Sequence, residues 1–152
     1  MENKILDMKY VIENGIDYDK LESEMFTDKL IEPESEKGYT GLVYESVSEN
    51  QISGYAYYRD GYIDGEHVHF HLNGNVRSVV YKKDSVADGV YKMWNEENIL
   101  IEEGENRLGI RIKYGKYNIA GRLIEEKKEP TATELKHMKI RESREKIIIF
   151  SI

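Results

Sequence analysis

Apolar and polar residues alternate along the middle of the chain, and short runs rich in asparagine and glycine interrupt the alternation. Strand-like stretches at residues 67–72 and 76–81, for example, flank Asn73 and Gly74. Period-two alternation indicates a β-strand, and an Asn-Gly dipeptide suits the backbone of a tight turn. This pattern therefore predicts a series of β-hairpins.

Four glycines give the pattern its spacing. Gly41, Gly65 and Gly89 lie 24 residues apart, and Gly109 follows 20 residues later. Counted from each glycine, the fifth residue is aromatic in three of the four copies, and the eleventh is apolar or small in all four. Such self-similarity indicates a repeat architecture. We predict that each leading glycine forms a turn between successive hairpins, and that the connection before Gly109 is shorter.

The same alternation assigns residues to the two faces of the predicted sheet. Odd offsets from the leading glycines are mostly apolar and predict the packed face, formed by Leu42, Tyr44, Val68, Phe70, Val90, Trp94, Ile110, Ile112 and Tyr114. Even offsets are more polar and predict the solvent-facing side, formed by Glu45, His67, His69, His71, Tyr91, Arg111 and Lys113. The predicted fold class is mainly β: an elongated antiparallel meander of repeated hairpins with short flanking helices.

The two ends of the chain lie outside the repeat. Helical spacing of apolar residues predicts a helix between Asn3 and Glu13 that ends at Asn14-Gly15, whereas residues 16–31 show no clean period. Thr131 and Glu134 form a capping-box signature, which predicts a helix over residues 132–146. The apolar tail, residues 147–152, is expected either to pair with a sheet edge or to pack against another chain.

We therefore expect a single domain, residues 1–152, in three parts. Residues 1–38 form an acidic N-terminal cap, residues 39–127 the hairpin repeats, and residues 128–152 the C-terminal helix and tail. Of the net charge of −7, the cap alone carries −6, from eleven acidic and five basic residues. Such a chain should repel nucleic acid and anionic lipid and attract a basic partner.

Composition also limits the chemistry of the chain. The 152 residues include no cysteine, which excludes disulfides and is compatible with a reducing compartment. The N-terminus lacks the apolar stretch of a secretion signal, and the longest apolar run has four residues, so we expect a cytoplasmic protein without a membrane span. No nucleophile or phosphate-loop motif is recognisable, so we expect neither an enzyme nor a cofactor.

His67, His69 and His71 raise the question of a metal site, because they fall on one face of one predicted strand. Side chains two residues apart on a strand are separated by about 7 Å at the backbone, so a second strand usually has to complete such a site. We predict an exposed histidine stripe and assign no metal, and the sequence leaves metal binding open.

Three segments resemble the variant MORN repeat: residues 39–45, 88–98 and 121–126. The resemblance covers residues 39–127, although Ser46 replaces the usual aromatic residue and the turn at Glu97-Asn98 lacks its glycine. A small acidic protein of this kind is similar to the YwqK-type antitoxin and immunity proteins, which neutralise bacterial toxins, often nucleases or deaminases. The resemblance thus implies a non-catalytic protein that binds a cognate toxin.

Two groups of residues are candidates for that partner contact. Carboxylates of the cap could steer and hold a basic toxin: Asp17, Asp19, Glu22 and Glu24. A mixed aromatic and acidic surface could supply contacts and mimic phosphates: Tyr55, Tyr57, Tyr58, Asp60, Asp64 and Tyr91. The alternative is a structural MORN-type adaptor for another protein or a membrane surface, and an enzyme is a third hypothesis. The oligomeric state stays open.

Overall fold

Strands follow one another in sequence order across a single long sheet. The computed structural model describes residues 4–150, the last four as backbone only. Within this part of the chain, a nine-stranded sheet has the order β1-β4-β5-β6-β7-β8-β9-β10-β11, and β2 and β3 form a separate hairpin. The elements are α1 (Met8–Asn14), β1 (Ile16–Asp17), a 3₁₀ turn (Tyr18–Lys20), β2 (Glu22–Ser23), β3 (Leu30–Ile31), β4 (Gly41–Ser48), β5 (Gln51–Arg59), β6 (Tyr62–Phe70), β7 (Val76–Lys83), β8 (Val86–Trp94), β9 (Leu100–Arg107), β10 (Ile110–Tyr117), β11 (Leu123–Lys127) and α2 (Ala132–Phe150).

The predicted meander is confirmed, since β4 to β11 pair antiparallel with their sequence neighbours. The cap adds an element that the sequence did not indicate, because β1 pairs with β4 in parallel. The first repeat strand therefore does not lie at the edge of the sheet.

Tight two-residue turns join the strands at one end of the sheet. They lie at residues 60–61, 84–85 and 108–109, a spacing of 24 that holds throughout. Both residues of each turn have positive φ, as in 50° and 65° for Asp84 and Ser85 or 51° and 79° for Leu108 and Gly109. Positive φ at both central residues is the signature of a type I′ hairpin turn, whose twist matches that of the flanking strands.

The prediction that the leading glycines form turns is wrong for Gly41, Gly65 and Gly89, which lie in strands, and is confirmed only for Gly109. Gly65 and Gly89 lie inside β6 and β8, with φ of +126° and +139°. Residues other than glycine rarely adopt such a φ. At Gly89, moreover, the ring of Tyr81 lies against the space that a Cβ would fill. Gly109 instead occupies a turn, in the position of Gly61, so the apparent spacing of 20 came from aligning residues that are not equivalent. The connection before Gly109 is not shorter.

At the other end of the sheet, residues 49–50 join β4 to β5, and five-residue loops join the later strands at residues 71–75, 95–99 and 118–122. Each five-residue loop is closed by the same pair of backbone bonds, for example Asn95 N to the Ile99 carbonyl at 2.9 Å and Asn98 N to the Asn95 carbonyl at 3.2 Å. Neighbouring loops are also linked, since the side-chain Nδ2 of Asn75 donates to the Glu96 carbonyl at 2.8 Å. The hairpin turns predicted at Asn73-Gly74 and Glu97-Asn98 lie in these loops.

The first residue of each tight turn has a positive φ, and it is aspartate in two turns, Asp60 and Asp84, but leucine in the third, Leu108. Asparagine tolerates positive φ far better than leucine. We expect Leu108→Asn to raise the free energy of unfolding by about 0.5 kcal/mol and the matched Asp84→Leu to lower it by a similar amount. Urea unfolding of both variants measures the pair. A stabilised Asp84→Leu variant would contradict the turn assignment.

Apolar groups of the cap cover both faces of the first strands. On one face, α1 places Val11 against Leu42, Tyr55 and Val68, and Val11 and Val68 are fully buried. On the other face, Leu21 and Leu30 pack on Val43. The main core therefore lies at the N-terminal end of the sheet.

The predicted faces are confirmed in β10, where Ile110 and Ile112 are half-buried and Arg111 and Lys113 are exposed, and they hold only in part elsewhere. Leu42, Val68 and Phe70 are buried as expected, but Val90 is 68% exposed and Tyr91 only 5% exposed, the reverse of the prediction. Val90 lies past the region that α1 covers, and the ring of Tyr91 lies over Gly104 in the next strand. Alternation fixes which side a residue faces, whereas a covering element decides whether that side is buried.

Both helices begin or end as their local chemistry indicates. α1 ends at Asn14, where Gly15 N donates to the Val11 carbonyl, although the helix begins later than predicted. The capping box is confirmed, because Glu134 N donates to Thr131 Oγ1 at 3.1 Å and Thr131 N donates to Glu134 Oε1 at 2.8 Å. Ion pairs tie α2 to the sheet, Arg107 with Glu142 and Lys127 with Glu134.

The C-terminal helix is longer than predicted. α2 continues through Phe150, so residues 147–150 are helical rather than paired with a sheet edge. Packing of the tail against another chain stays a prediction, because the side chains of residues 147–150 and all of residues 151–152 lie outside the described part. Over the residues described, neither helix combines the length and apolar character that a transmembrane span needs.

Candidate protein-binding surface

The carboxylates of the cap divide into structural and exposed groups. Asp17 is structural: its Oδ1 accepts from Asp19 N at 3.0 Å, and its Oδ2 accepts from Ser46 Oγ at 2.7 Å. Asp19 and Glu22 are exposed, and no hydrogen bond or ion pair of their carboxylates is found within residues 4–150. Glu24 is exposed too, with a loose ion pair to Lys29 at 3.7 Å. Three of the four predicted carboxylates are therefore free to meet a partner.

A short hairpin projects from the cap beside these carboxylates. We call residues 22–31, which comprise β2, β3 and the turn between them, the cap hairpin. At its tip, Phe26 is 98% exposed and Met25 is 77% exposed. Phe26 also has a φ of 65°, a region that bulky residues seldom adopt.

Hydrogen bonds hold the cap hairpin in shape and fix it to the sheet. Across the turn, Glu24 N donates to the Lys29 carbonyl at 2.8 Å and Thr27 N donates to the Glu24 carbonyl at 3.0 Å. At its base, Leu30 is 2% exposed, and Leu30 N donates to the Gly61 carbonyl at 2.8 Å. The exposed tip is thus held at a fixed place relative to the sheet.

Sequence reasoning missed Met25 and Phe26. The segment around them has no regular period, and aromatic residues are more often buried than exposed. The available signal was the composition of residues 22–28, where two large apolar side chains lie among Glu22, Glu24 and Asp28.

The predicted aromatic surface is not a single surface. Tyr55 and Tyr91 are 3% and 5% exposed, so neither is available for a partner contact, and this prediction is corrected. The Tyr55 hydroxyl accepts from Leu6 N at 2.8 Å, an interaction that ties the N-terminal segment to the core. Tyr57 is 43% exposed, whereas Tyr58 packs with the cluster of Leu21, Leu30 and Val43, on the side of β5 opposite the α1 core. Burial raises the pKa of Tyr58 to about 12.

The two remaining predicted carboxylates have local structural contacts. Asp60 lies in a tight turn, where its backbone N donates to Thr40 Oγ1 at 2.9 Å. The Asp64 carboxylate forms an ion pair with Arg59 at 3.3 Å, and the side chain of Arg59 is largely exposed. Neither belongs to the cap, although Gly38 of the cap packs on the Asp60 backbone.

Tyr91 belongs to a polar network in the C-terminal half of the sheet. Its hydroxyl donates to Glu102 Oε2 at 2.6 Å, and Arg111 donates to the same oxygen at 2.9 Å. Burial first, and then the bond to Glu102, raise the pKa of Tyr91 well above its usual range. The Arg111 guanidinium lies 4.4 Å from the ring centre of Tyr114. A tyrosine that stays protonated in this way is not available as a base. The network connects β8, β9 and β10.

The histidines do not form the predicted exposed stripe. The rings of His67 and His69 lie 4.2 Å apart, both partly buried, and His71 Nε2 lies 2.9 Å from the Trp94 carbonyl. Burial, with His69 and Lys82 nearby, lowers the pKa of His67 to about 3. Its Nδ1 is buried, and no hydrogen-bond partner for it is found among residues 4–150. In the same part of the chain, no three His, Asp or Glu side chains are grouped as metal ligands would be.

A wide groove of about 530 Å³ runs over the C-terminal half of the sheet. Positively and negatively charged side chains line this groove, and some of them are paired, Lys113 with Glu105 at 3.1 Å and the Tyr117 hydroxyl with Glu103 at 3.1 Å. Gly115 lies in its floor. Because its lining mixes lysine with glutamate side chains, the groove favours neither a cationic nor an anionic ligand.

Comparison with known proteins adds no relative. No family model matches the chain, and neither the curated proteins nor the solved structures compared with it give a match.

Proposed function

We propose that this protein is a non-catalytic antitoxin or immunity protein that acts in the cytoplasm by binding a basic toxin. The observation that carries the proposal is the acidic cap, where Asp19, Glu22 and Glu24 are exposed. Exposed carboxylates of one sign on one element attract a basic surface and speed its encounter with the protein. The resemblance to YwqK-type proteins supports the same function.

The proposal of a non-catalytic role rests on how the titratable groups are used. The largest pKa shifts belong to Tyr58, His67 and Tyr91, and in each case burial is the first cause. Tyr91 is held by Glu102, and His67 is neutral and lies beside His69. A catalytic acid or base needs a pKa near the working pH, which none of these three has.

The cap makes the proposal testable by charge reversal. We expect Asp19→Lys/Glu22→Lys/Glu24→Lys to lower the association rate with the cognate toxin by about tenfold at low salt, and to flatten its salt dependence. Asp17 is left unchanged because its carboxylate holds the 3₁₀ turn and Ser46. Stopped-flow mixing at two salt concentrations measures the rate.

The matched control is Glu49→Lys/Glu96→Lys/Glu97→Lys, which makes the same change of net charge at exposed sites outside the cap. This variant should lose much less of the association rate than the cap variant. Equal losses in the two variants would show that only net charge matters, and an unchanged rate in the cap variant would refute steering by the cap.

A further inference from the structure

We propose that Met25 and Phe26, at the tip of the cap hairpin, are the anchor of the protein interface and insert into an apolar pocket with a basic rim. This inference rests on the proposed function and adds to it the residues that hold the partner after encounter. Buried aromatic anchors dominate the binding energy of protein interfaces, while surrounding charges act mainly on rate and specificity.

Exposure is the first argument. Phe26 is 98% exposed and Met25 77% exposed, so neither side chain contributes to the two hydrophobic clusters of the cap. Leu30 at the base of the same hairpin is buried, so folding of the hairpin does not depend on its tip. Two large apolar side chains at one tip that belong to neither cluster among residues 4–146 are suited to a partner contact.

Backbone geometry is the second argument. Phe26 holds a φ of 65°, although glycine or asparagine would fit this turn with less strain. Strained conformations persist where surrounding structure enforces them and often mark functional positions. Here the bonds of Glu24 and Thr27 across the turn enforce it.

Rigidity is the third argument. Two backbone bonds of Leu30 hold the base of the cap hairpin: its N donates to the carbonyl of Gly61, in the turn between β5 and β6, at 2.8 Å, and its carbonyl accepts from the N of Tyr39, just before β4, at 2.9 Å. A tip fixed in this way loses little conformational freedom when it binds, which favours affinity.

Charge around the tip defines the pocket that it fits. Glu22, Glu24 and Asp28 flank the two apolar residues and are exposed, and Lys29 is the one basic residue of the cap hairpin. The complementary site is an apolar recess large enough for a benzyl ring, with Lys or Arg side chains around its mouth.

A phage-displayed library of 12-residue peptides tests the anchor without the toxin. Peptides selected on the full-length immobilised protein should combine an apolar cluster with Lys or Arg residues, and Phe26→Ala should weaken their binding at least tenfold. The matched control is Ile119→Ala, which removes another loop-tip side chain, 77% exposed, and should leave binding unchanged. Peptides that bind Phe26→Ala as tightly as the unaltered protein would overturn the proposal.

Thermal unfolding of Phe26→Asn provides the second readout. Because asparagine accepts the positive φ and the phenyl ring has no packing role, we expect the unfolding midpoint to rise by about 2 °C. A lower midpoint would assign Phe26 to the structure of the cap and contradict the anchor.

The anchor and the steering function fail separately. If charge reversal in the cap slows toxin association but Phe26→Ala does not accelerate dissociation of the same complex, the anchor is wrong and the proposed function stands. If the peptides depend on Phe26 but charge reversal leaves the toxin association rate unchanged, the anchor stands and acidic steering is wrong.

Discussion

Replacing Gly104 with alanine is expected to lower the free energy of unfolding by about 3 kcal/mol. Gly104 lies in β9 between β8 and β10, and a Cβ there would collide with the Lys113 carbonyl oxygen and come within 2.9 Å of the Tyr114 Cα and of the Tyr91 ring. Two of these three obstacles are backbone, which cannot move without separating β9 from β10. The Tyr91 bond to Glu102 would be strained as well.

Gly115 is the matched control for this prediction, because it lies one strand away in β10. A Cβ there would meet the ends of two flexible side chains, the Tyr117 hydroxyl at 3.1 Å and Leu123 Cδ1 at 3.2 Å. We expect Gly115→Ala to cost less than about 1 kcal/mol. Urea unfolding of both variants gives the comparison. Equal stability of the two variants would show that β9 and β10 do not approach each other as described.

Acidification below about pH 6.5 should destabilise the protein through His67. The folded pKa of His67, about 3, lies below the ordinary value of 6.5, so the unfolded chain binds more protons between these values. The stabilisation is therefore complete above about pH 6.5 and is lost as the pH falls toward 3. At pH 5, His67 alone should lower the free energy of unfolding by about 2 kcal/mol relative to pH 7.5. His69, whose pKa is also lowered by burial, acts in the same direction.

Substitution of His67 separates this effect from general acid denaturation. In His67→Gln the loss of stability between pH 7.5 and pH 5 should shrink by about 2 kcal/mol, because the site no longer titrates. The matched control is His137→Gln, at an exposed histidine on α2. Urea unfolding at several pH values measures both. An unaltered slope in His67→Gln would mean that His67 is not buried as a neutral imidazole.

The hairpins could be predicted from sequence because the chemistry that forms them is local. Alternation along β6 and β7, the loop at Asn73-Gly74 and the capping box of Thr131 are each encoded within a few residues. The start of each repeat unit could not be predicted, because glycine occurs both in turns and inside strands of this sheet. Gly61 and Gly109 occupy turns, whereas Gly65 and Gly89 occupy strands, and one pattern of glycines permits either alignment.

Part of the candidate site could be predicted for a similar reason. Asp19 and Glu22 are exposed, as expected for charged residues. The burial of Tyr55 and Tyr91 depends on distant elements, the N-terminal segment for Tyr55 and the Gly104 strand for Tyr91, which no local pattern reveals. For Phe26 the error is the reverse. An aromatic residue is expected in a core, but the tip of the cap hairpin packs against no core.

The sheet order also places unlike charges far apart. Strands lie about 4.8 Å from their neighbours, so the eight steps from β1 to β11 span about 38 Å. Residues 1–38, with a net charge of −6, precede the first repeat strand, and residues 128–152, with a net charge of +2, follow the last. The molecule therefore carries its most acidic segment at the β1 end of the sheet. A basic partner's field would rotate it in solution so that the cap hairpin arrives first.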